Sequence, residues 1–138
     1  MYVQSYLFFG GRTEEALEFY KKAIGATVTM MMRFSDAPDP QPGMIQPGSE
    51  NKIMHSAFKI GDTELMASDG DCSGKPDFMG VSLAITAKDI PEAERVFKAL
   101  GEGGQIRQPL IETFFSPRFG MVADKFGVGW MIVVEQKQ

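Results

Sequence analysis

Apolar and polar residues alternate with a period of two along most of this chain, and helical spacing replaces that alternation twice. The clearest stretch is Arg118 to Glu135, which reads as strand, tight turn, strand. Phe119, Met121 and Ala123 alternate with Gly120, Val122 and Asp124, and Asp124-Lys125-Phe126-Gly127 has turn composition. Val128 to Val134 is almost wholly apolar, so this strand is expected to be covered on both faces. Two helices supply candidate covers. Thr13 to Ile24 has Thr13 as its expected cap, acids in its first turn, lysines near its end and Gly25 as its stop. Its apolar stripe is Ala16, Leu17, Tyr20, Ala23 and Ile24. Asp89 opens the second helix in a D-x-x-E pairing with Glu92, with Pro91 in the first turn. Ala93, Val96, Phe97 and Leu100 share one face, and Gly101 ends it.

The other strands are predicted at Tyr2–Phe9, Ala26–Phe34, Lys52–Ile60, Thr63–Asp69, Phe78–Thr86 and from Gly104 to Arg107. Gln108 to Pro117 is a loop or a broken strand. The link Gly61-Asp62 suits a two-residue type II′ hairpin, and this fixes a register. Ile60 then faces Thr63, Lys59 faces Glu64, Phe58 faces Leu65, Ala57 faces Met66 and His55 faces Ser68. One face carries Phe58, Ile60 and Leu65 and belongs to the core. The other carries His55, Ala57, Lys59, Glu64, Met66 and Ser68, as a wetted cleft would. Asp36 to Glu50 is rich in proline and glycine and has no period, so it is a long loop, either a pocket lid or a surface excursion. Gly70 to Asp77 is a small, polar linker.

The pattern repeats. Glu15-Ala16 corresponds to Glu92-Ala93, and Phe19-Tyr20-Lys21 to Val96-Phe97-Lys98. Each copy follows one strand and precedes three more. The expected fold class is therefore α+β, built of tandem βαβββ modules over 1–69 and 78–138, with 70–77 between them. The helices would lie outside, and curled sheets would surround a cleft.

Composition narrows the function. The chain has 138 residues and a net charge of −4, without the basic stripe that nucleic acid requires. No apolar run is long enough to span a membrane, and the start lacks the basic region of a signal peptide. A single cysteine, Cys72, excludes an internal disulfide and suits the cytoplasm. Cys72 has no neighbouring base or cation in sequence and is read as a bystander thiol. Ten methionines suit an adaptable core or pocket lining.

Tandem βαβββ halves, YLFFGGRTEEALEFY, the hairpin MHSAFKIGDTELMASD and ETFFSPRFGMVADKFGVGWMI together carry a family likeness. Over essentially its whole length the chain resembles the vicinal-oxygen-chelate (glyoxalase/bleomycin resistance/dioxygenase) superfamily. The likeness is strongest to its PhnB-like branch, the 3-demethylubiquinone methyltransferase-like group. The resemblance implies metal ligands on the first, fourth, fifth and eighth strands. Those positions fall here at Gln4 or Ser5, at Glu64, at Gly80 and at Met131. Glu64 is retained, but Gly80 stands where the family has His and Met131 where it has Glu. Gly80 has no donor, and a thioether is unsuited to the divalent ions of these enzymes. Neither a bound metal nor another cofactor is expected. The resemblance also implies a homodimer, in which a second copy would cover sheet edges.

The candidate site is the cleft face of the His55–Ser68 hairpin. His55 and Glu64 are the candidate acid and base. His55 is the only histidine, and a hydrogen bond to Ser68 across the ladder is its alternative role. Met66, Ser68, Ser82 and Met131 share the cleft parity as candidate ligand contacts. Phe114 and Phe115 could stack on a flat ligand, and Arg118 could hold an anion. Lys59 opposite Glu64 also reads as a cross-strand ion pair. Trp130 is out of phase with Met131 and is expected beneath the helices. Two functions fit: metal-free binding of a small organic molecule, or a metal-independent lyase, isomerase or transferase using His55 and Glu64.

Overall fold

A computed structural model describes residues 1–40 and 42–136, so Gln41 of the long loop and the last two residues of the second module lie outside the described residues. The elements follow in the order β1 (Tyr6–Phe8), α1 (Thr13–Ile24), β2 (Thr27–Arg33), β3 (Ile53–Ile60), β4 (Thr63–Ser68), β5 (Ser82–Ala87), α2 (Ile90–Gly101), β6 (Gln105–Ile111), β7 (Phe119–Ala123) and β8 (Gly129–Val134). They form two mixed four-stranded sheets, β1-β4-β3-β2 and β5-β8-β7-β6. Each sheet places its first strand parallel to its last and pairs the others antiparallel. This is βαβββ twice, an α+β fold. The chain divides into compact units at Met1–Pro76 and Asp77–Gln138. No helix among the described residues is long and apolar enough to cross a membrane.

In the first unit α1 covers one face of its sheet. Ala16, Leu17 and Tyr20 are fully buried, and Tyr20 stacks on Phe58 with ring centroids 6.0 Å apart. Phe9 lies 6.3 Å from the same ring. Burial of a side chain the size of Leu17 contributes roughly 2 kcal/mol. The β3–β4 hairpin has the register expected of its turn, with Ile60↔Thr63, Lys59↔Glu64, Phe58↔Leu65 and Ala57↔Met66. Gly61 takes the positive φ, 58°, that a type II′ turn requires at its first central position.

The cap of α1 differs from expectation. Thr13 is the first helical residue, and Arg12 before it makes no side-chain capping bond. Asp69, at the end of β4, serves instead. Its Oδ1 accepts from the Gly11 and Thr13 amides at 2.9 Å and from the Thr13 hydroxyl at 2.6 Å. Its Oδ2 accepts from the Ile53 amide at 2.8 Å. Asp69 is 1% exposed. A local cap was the natural reading of the sequence, but a residue far along the chain outcompetes it by satisfying three segments at once. The predicted linker also belongs partly to this unit, since the Gly74 amide donates to the Gly10 carbonyl at 2.9 Å.

On the edge strand β2, at the same end of the sheet, Arg33 pairs with Ile53 and grips α1. Its two terminal nitrogens donate to the Glu14 carboxylate at 2.6 and 3.2 Å, and Nη1 also reaches the Asn51 carbonyl at 2.7 Å. The hydrogen bond from Arg33, aided by its charge, holds the Glu14 carboxyl below its ordinary value.

The second unit repeats the plan. Asp89 caps α2 by accepting from the Glu92 amide at 2.9 Å, and the Glu92 side chain accepts from the Lys88 amide at 2.8 Å. Ala93, Val96 and Leu100 are buried, and Val122 lies under Gly101. The β7–β8 turn is organised by buried Asp124, which accepts from the Phe126 and Val128 amides and from Trp130 Nε1 at 2.9, 3.1 and 2.9 Å. Trp130 is thus on the helix side, as its phase requires. β8 is fully buried only on that side. Met131 and Val133 on its other face are half-buried, so the expected double cover is incomplete. β6 extends through the stretch read as loop or broken strand, with register shifts around Gln108 and with Pro109 tolerated on the sheet edge.

Asp69→Asn should replace an all-acceptor group by one that turns an N–H toward amide donors. The expected loss is on the order of 3 kcal/mol, checked as a lower urea midpoint with unchanged slope. Arg33→Met should let the Glu14 carboxyl rise from its lowered position toward the ordinary carboxylate range in a carbon-13 NMR titration. Because the folded value lies below the unfolded one, the contact's stabilisation is complete above the unfolded value. It disappears as pH falls through the folded value, so Glu14→Gln should flatten that acid dependence.

Candidate functional site

Strand alternation sorts the first sheet into a face toward α1 and a face away from it. The second, open face is set by register. Tyr6 pairs with Met66 on the parallel neighbour, Met66 with Ala57, and Ala57 with Met30, while Met32 pairs with His55. Tyr6, Met66, Met30, Met32 and His55 therefore share one face. Gln4 belongs to it as well, two residues before Tyr6. Its Nε2 donates to Glu64 Oε1 at 3.1 Å, which resolves the choice between Gln4 and Ser5 in favour of Gln4.

His55 is half-buried, and its partner is not Ser68. The Tyr6 hydroxyl lies 2.9 Å from His55 Nδ1, and the two rings stack at 5.6 Å with 30° between their planes. The tyrosine ring reaches across β4 to do so. Phe8 continues the aromatic row at 4.9 Å from Tyr6 and is 55% exposed. Ser68 is buried, and its hydroxyl accepts from the Gly70 amide at 3.1 Å. Among the described residues this leaves one imidazole nitrogen, Nε2, available beside an apolar floor of thioethers.

The structure separates His55 from Glu64. Glu64 stands opposite Lys59, four strand positions from the level of His55. That is about 13 Å along the sheet, too far for direct proton exchange. The acid–base pair proposed from sequence is therefore two sites: His55 with Tyr6, and Glu64 with Gln4.

The family metal site can be tested against these donors. Gln4 and Glu64 are in contact, but through a hydrogen bond that occupies the amide nitrogen and one carboxylate oxygen. Gly80 precedes β5, and Met131 offers only sulfur. No group of three or more His, Cys, Asp and Glu side chains among the described residues is placed to hold a metal ion. The residues present do not fit the divalent ions these sites take.

In the second unit, Ala84 pairs with Met131 and Ser82 with Gly129, so Ser82 and Met131 do share the open face of their sheet. Phe114 and Phe115 pack edge to face at 5.2 Å, and Phe115 meets Phe119 at 5.2 Å. Phe114 is 92% exposed. Arg118 has the opposite parity. It lies by α2, with its Nε 3.9 Å from Glu94 Oε1 and Nη1 donating to the Pro117 carbonyl at 2.7 Å. It is not brought to Ser82 and Met131. A groove of about 520 Å³ at the start of α2 is lined by residues including Lys88, Asp89, Glu112 and Glu135, and by none of the predicted contacts. Asp89 there is already engaged as the helix cap.

Sequence reasoning missed Tyr6. Its signal was the same alternation that singles out Gln4, but the parallel β1–β4 register was needed to bring it to His55.

Over residues 2–133 the chain matches the family model described as 3-demethylubiquinone-9 3-methyltransferase. It is 32% identical to Protein YjdN of Escherichia coli (strain K12), across all of this chain and 98% of that one. The structure resembles protein PA1353 from Pseudomonas aeruginosa with a TM-score of 0.84 at 37% identity, over 99% of both chains. It resembles the PhnB protein from Bacillus cereus with a TM-score of 0.79 at 28% identity, over 97% of this chain and 99% of that one.

Titration of chelator-treated protein with Zn²⁺, Ni²⁺ or Mn²⁺ is expected to give no stoichiometric binding that Glu64→Gln abolishes. A one-to-one isotherm lost in that variant would show that Gln4 and Glu64 open to take a metal.

Proposed function

The chain belongs to the 3-demethylubiquinone-9 3-methyltransferase family, within the PhnB-like branch of the vicinal-oxygen-chelate superfamily, and from that premise we propose that it binds a small organic molecule without a metal ion. The open face of the β1-β4-β3-β2 sheet is the proposed site. The observation that carries this reading is the hydrogen-bonded, stacked Tyr6–His55 pair set among accessible apolar side chains. Tyr6, Phe8 and Met30 are 36%, 55% and 39% exposed. Aromatic rings and thioethers favour a flat conjugated ligand, while the phenol and imidazole give it one oriented polar contact. A phosphate would want cations or clustered amides, and neither lines this face around His55.

The Tyr6–His55 hydrogen bond also favours a second reading, a metal-independent enzyme in which His55 transfers a proton and Tyr6 orients its ring. Glu64 has no part in that step, because of its distance.

A thermal-shift screen of metabolite and drug libraries tests the proposal. A ligand at 100 times its Kd should add roughly 2.7 kcal/mol, or several degrees. His55→Ala and Tyr6→Phe should each weaken a hit by about tenfold, with far-UV spectra unchanged. Hits whose affinity neither substitution alters would place binding elsewhere. Following a hit by NMR then separates the readings, since an enzyme converts it and a binder returns it unchanged.

A further inference from the structure

The second sheet carries a site of its own, independent of the Tyr6–His55 face. Its residues are Arg107, Ser82 and Gly129. β6 pairs regularly with β7 at Ile106↔Val122 and again at Gln108↔Met121, so Arg107 is the additional residue of a bulge. Bulges bend a strand and re-aim a side chain. Here the guanidinium is carried over β7 to β8. A Cβ built on Gly129 would stand 3.3 Å from Arg107 Nη1 and 3.0 Å from the Ser82 hydroxyl oxygen. Two side-chain donors from different edges of the sheet thus converge over the one residue that leaves room for both. The Val81 carbonyl, 3.2 Å from the same point, is the only backbone acceptor among the three nearest atoms, and the Ser82 hydroxyl can accept as well as donate.

Arg107 and Ser82 are both exposed, and among the described residues neither side chain has a partner. The other four guanidinium side chains each have a carboxylate partner: Arg12 pairs with Glu15 and Arg33 with Glu14, while Arg95 approaches Glu92 and Arg118 approaches Glu94. An unpaired guanidinium lying over a glycine, beside a hydroxyl, has the donors that an oxyanion calls for.

We propose that Arg107 and Ser82 bind the carboxylate of a small organic acid over Gly129. The guanidinium fork matches a planar carboxylate bidentately, and the serine hydroxyl can donate to one of its oxygens. Beyond Gly129 on the same face lie Ala84, Met131 and Met121, related by register, which would receive a short apolar body. A phosphate fits less well, because sites for it typically add a helix N-terminus or a nest of amides to the cation.

Benzoate is the probe, benzamide its neutral isostere and inorganic phosphate the competing anion. In amide NMR titrations of the full chain, benzoate should move the Gly129 and Ser82 resonances saturably. Benzamide should bind at least about tenfold more weakly, and Arg107→Met should weaken benzoate by a similar factor. Arg107→Lys should restore only part of that loss, since an ammonium lacks the planar fork. Gly129→Ala should displace the guanidinium and weaken binding too. If that variant does not fold, Ser82→Ala gives the same information without touching the backbone. Unsaturable shifts, equal affinity for benzamide, or benzoate binding undiminished in Arg107→Met would each overturn the assignment. Phosphate binding as tightly as benzoate would overturn the carboxylate specificity.

Discussion

The carboxylate of Asp69 ties together the first unit. It ends β4, yet it accepts hydrogen bonds from the Gly10-Gly11 turn region, from the first residue of α1 and from the first residue of β3. A buried carboxylate is costly unless its lone pairs are filled, and here four donors fill them. Those donors are the groups a helix start and a strand start leave unpaired. One residue therefore satisfies the N-terminus of α1 and fixes where β1, α1, β3 and β4 meet. Asp124 plays the corresponding part in the second unit, at the β7–β8 turn, with Trp130 as one of its donors. Ser116 adds a further knot at the opposite end of that hairpin, its hydroxyl reaching the Arg118 and Val134 carbonyls at 2.7 Å.

With the helices anchored in this way, one face of each sheet is closed and the other is left open. The chemistry on the open faces follows from what strand pairing places there. On the first sheet it is an aromatic row with one imidazole, floored by methionines. On the second it is a bulge-directed arginine above a glycine. Neither set is a metal quartet. The two family positions in the first unit are present as Gln4 and Glu64, but they are satisfied by each other, and the two in the second unit have lost their donors.

The polar and aromatic residues around β7 divide in the same way. Arg118 and Phe119 are adjacent in sequence, yet alternation sends the first to Glu94 on α2 and the second to Phe115. A sequence neighbourhood rich in stacking and charged residues therefore does not become one pocket. Phase along the strand decides which member can meet a ligand.

The sequence by itself determined the order and type of the elements, though not the extent of β1, β5 and β6, together with the repeat and the β3–β4 register. Those depend on local physics: periodicity, helix stops and a two-residue turn that leaves only one alignment of the strands it joins. It also determined that Gly80 and Met131 cannot replace the missing ligands, because side-chain chemistry does not depend on folding. Only the tertiary structure decided that Asp69 rather than Thr13 caps α1, that His55 pairs with Tyr6 rather than with Ser68 or Glu64, and that Arg107 reaches Gly129. Each of these joins segments that no tight turn connects. β1 and β4 are parallel, so their register is set by packing across the whole unit. The bulge that aims Arg107 is a break in alternation, and sequence periodicity cannot foresee where its own period fails.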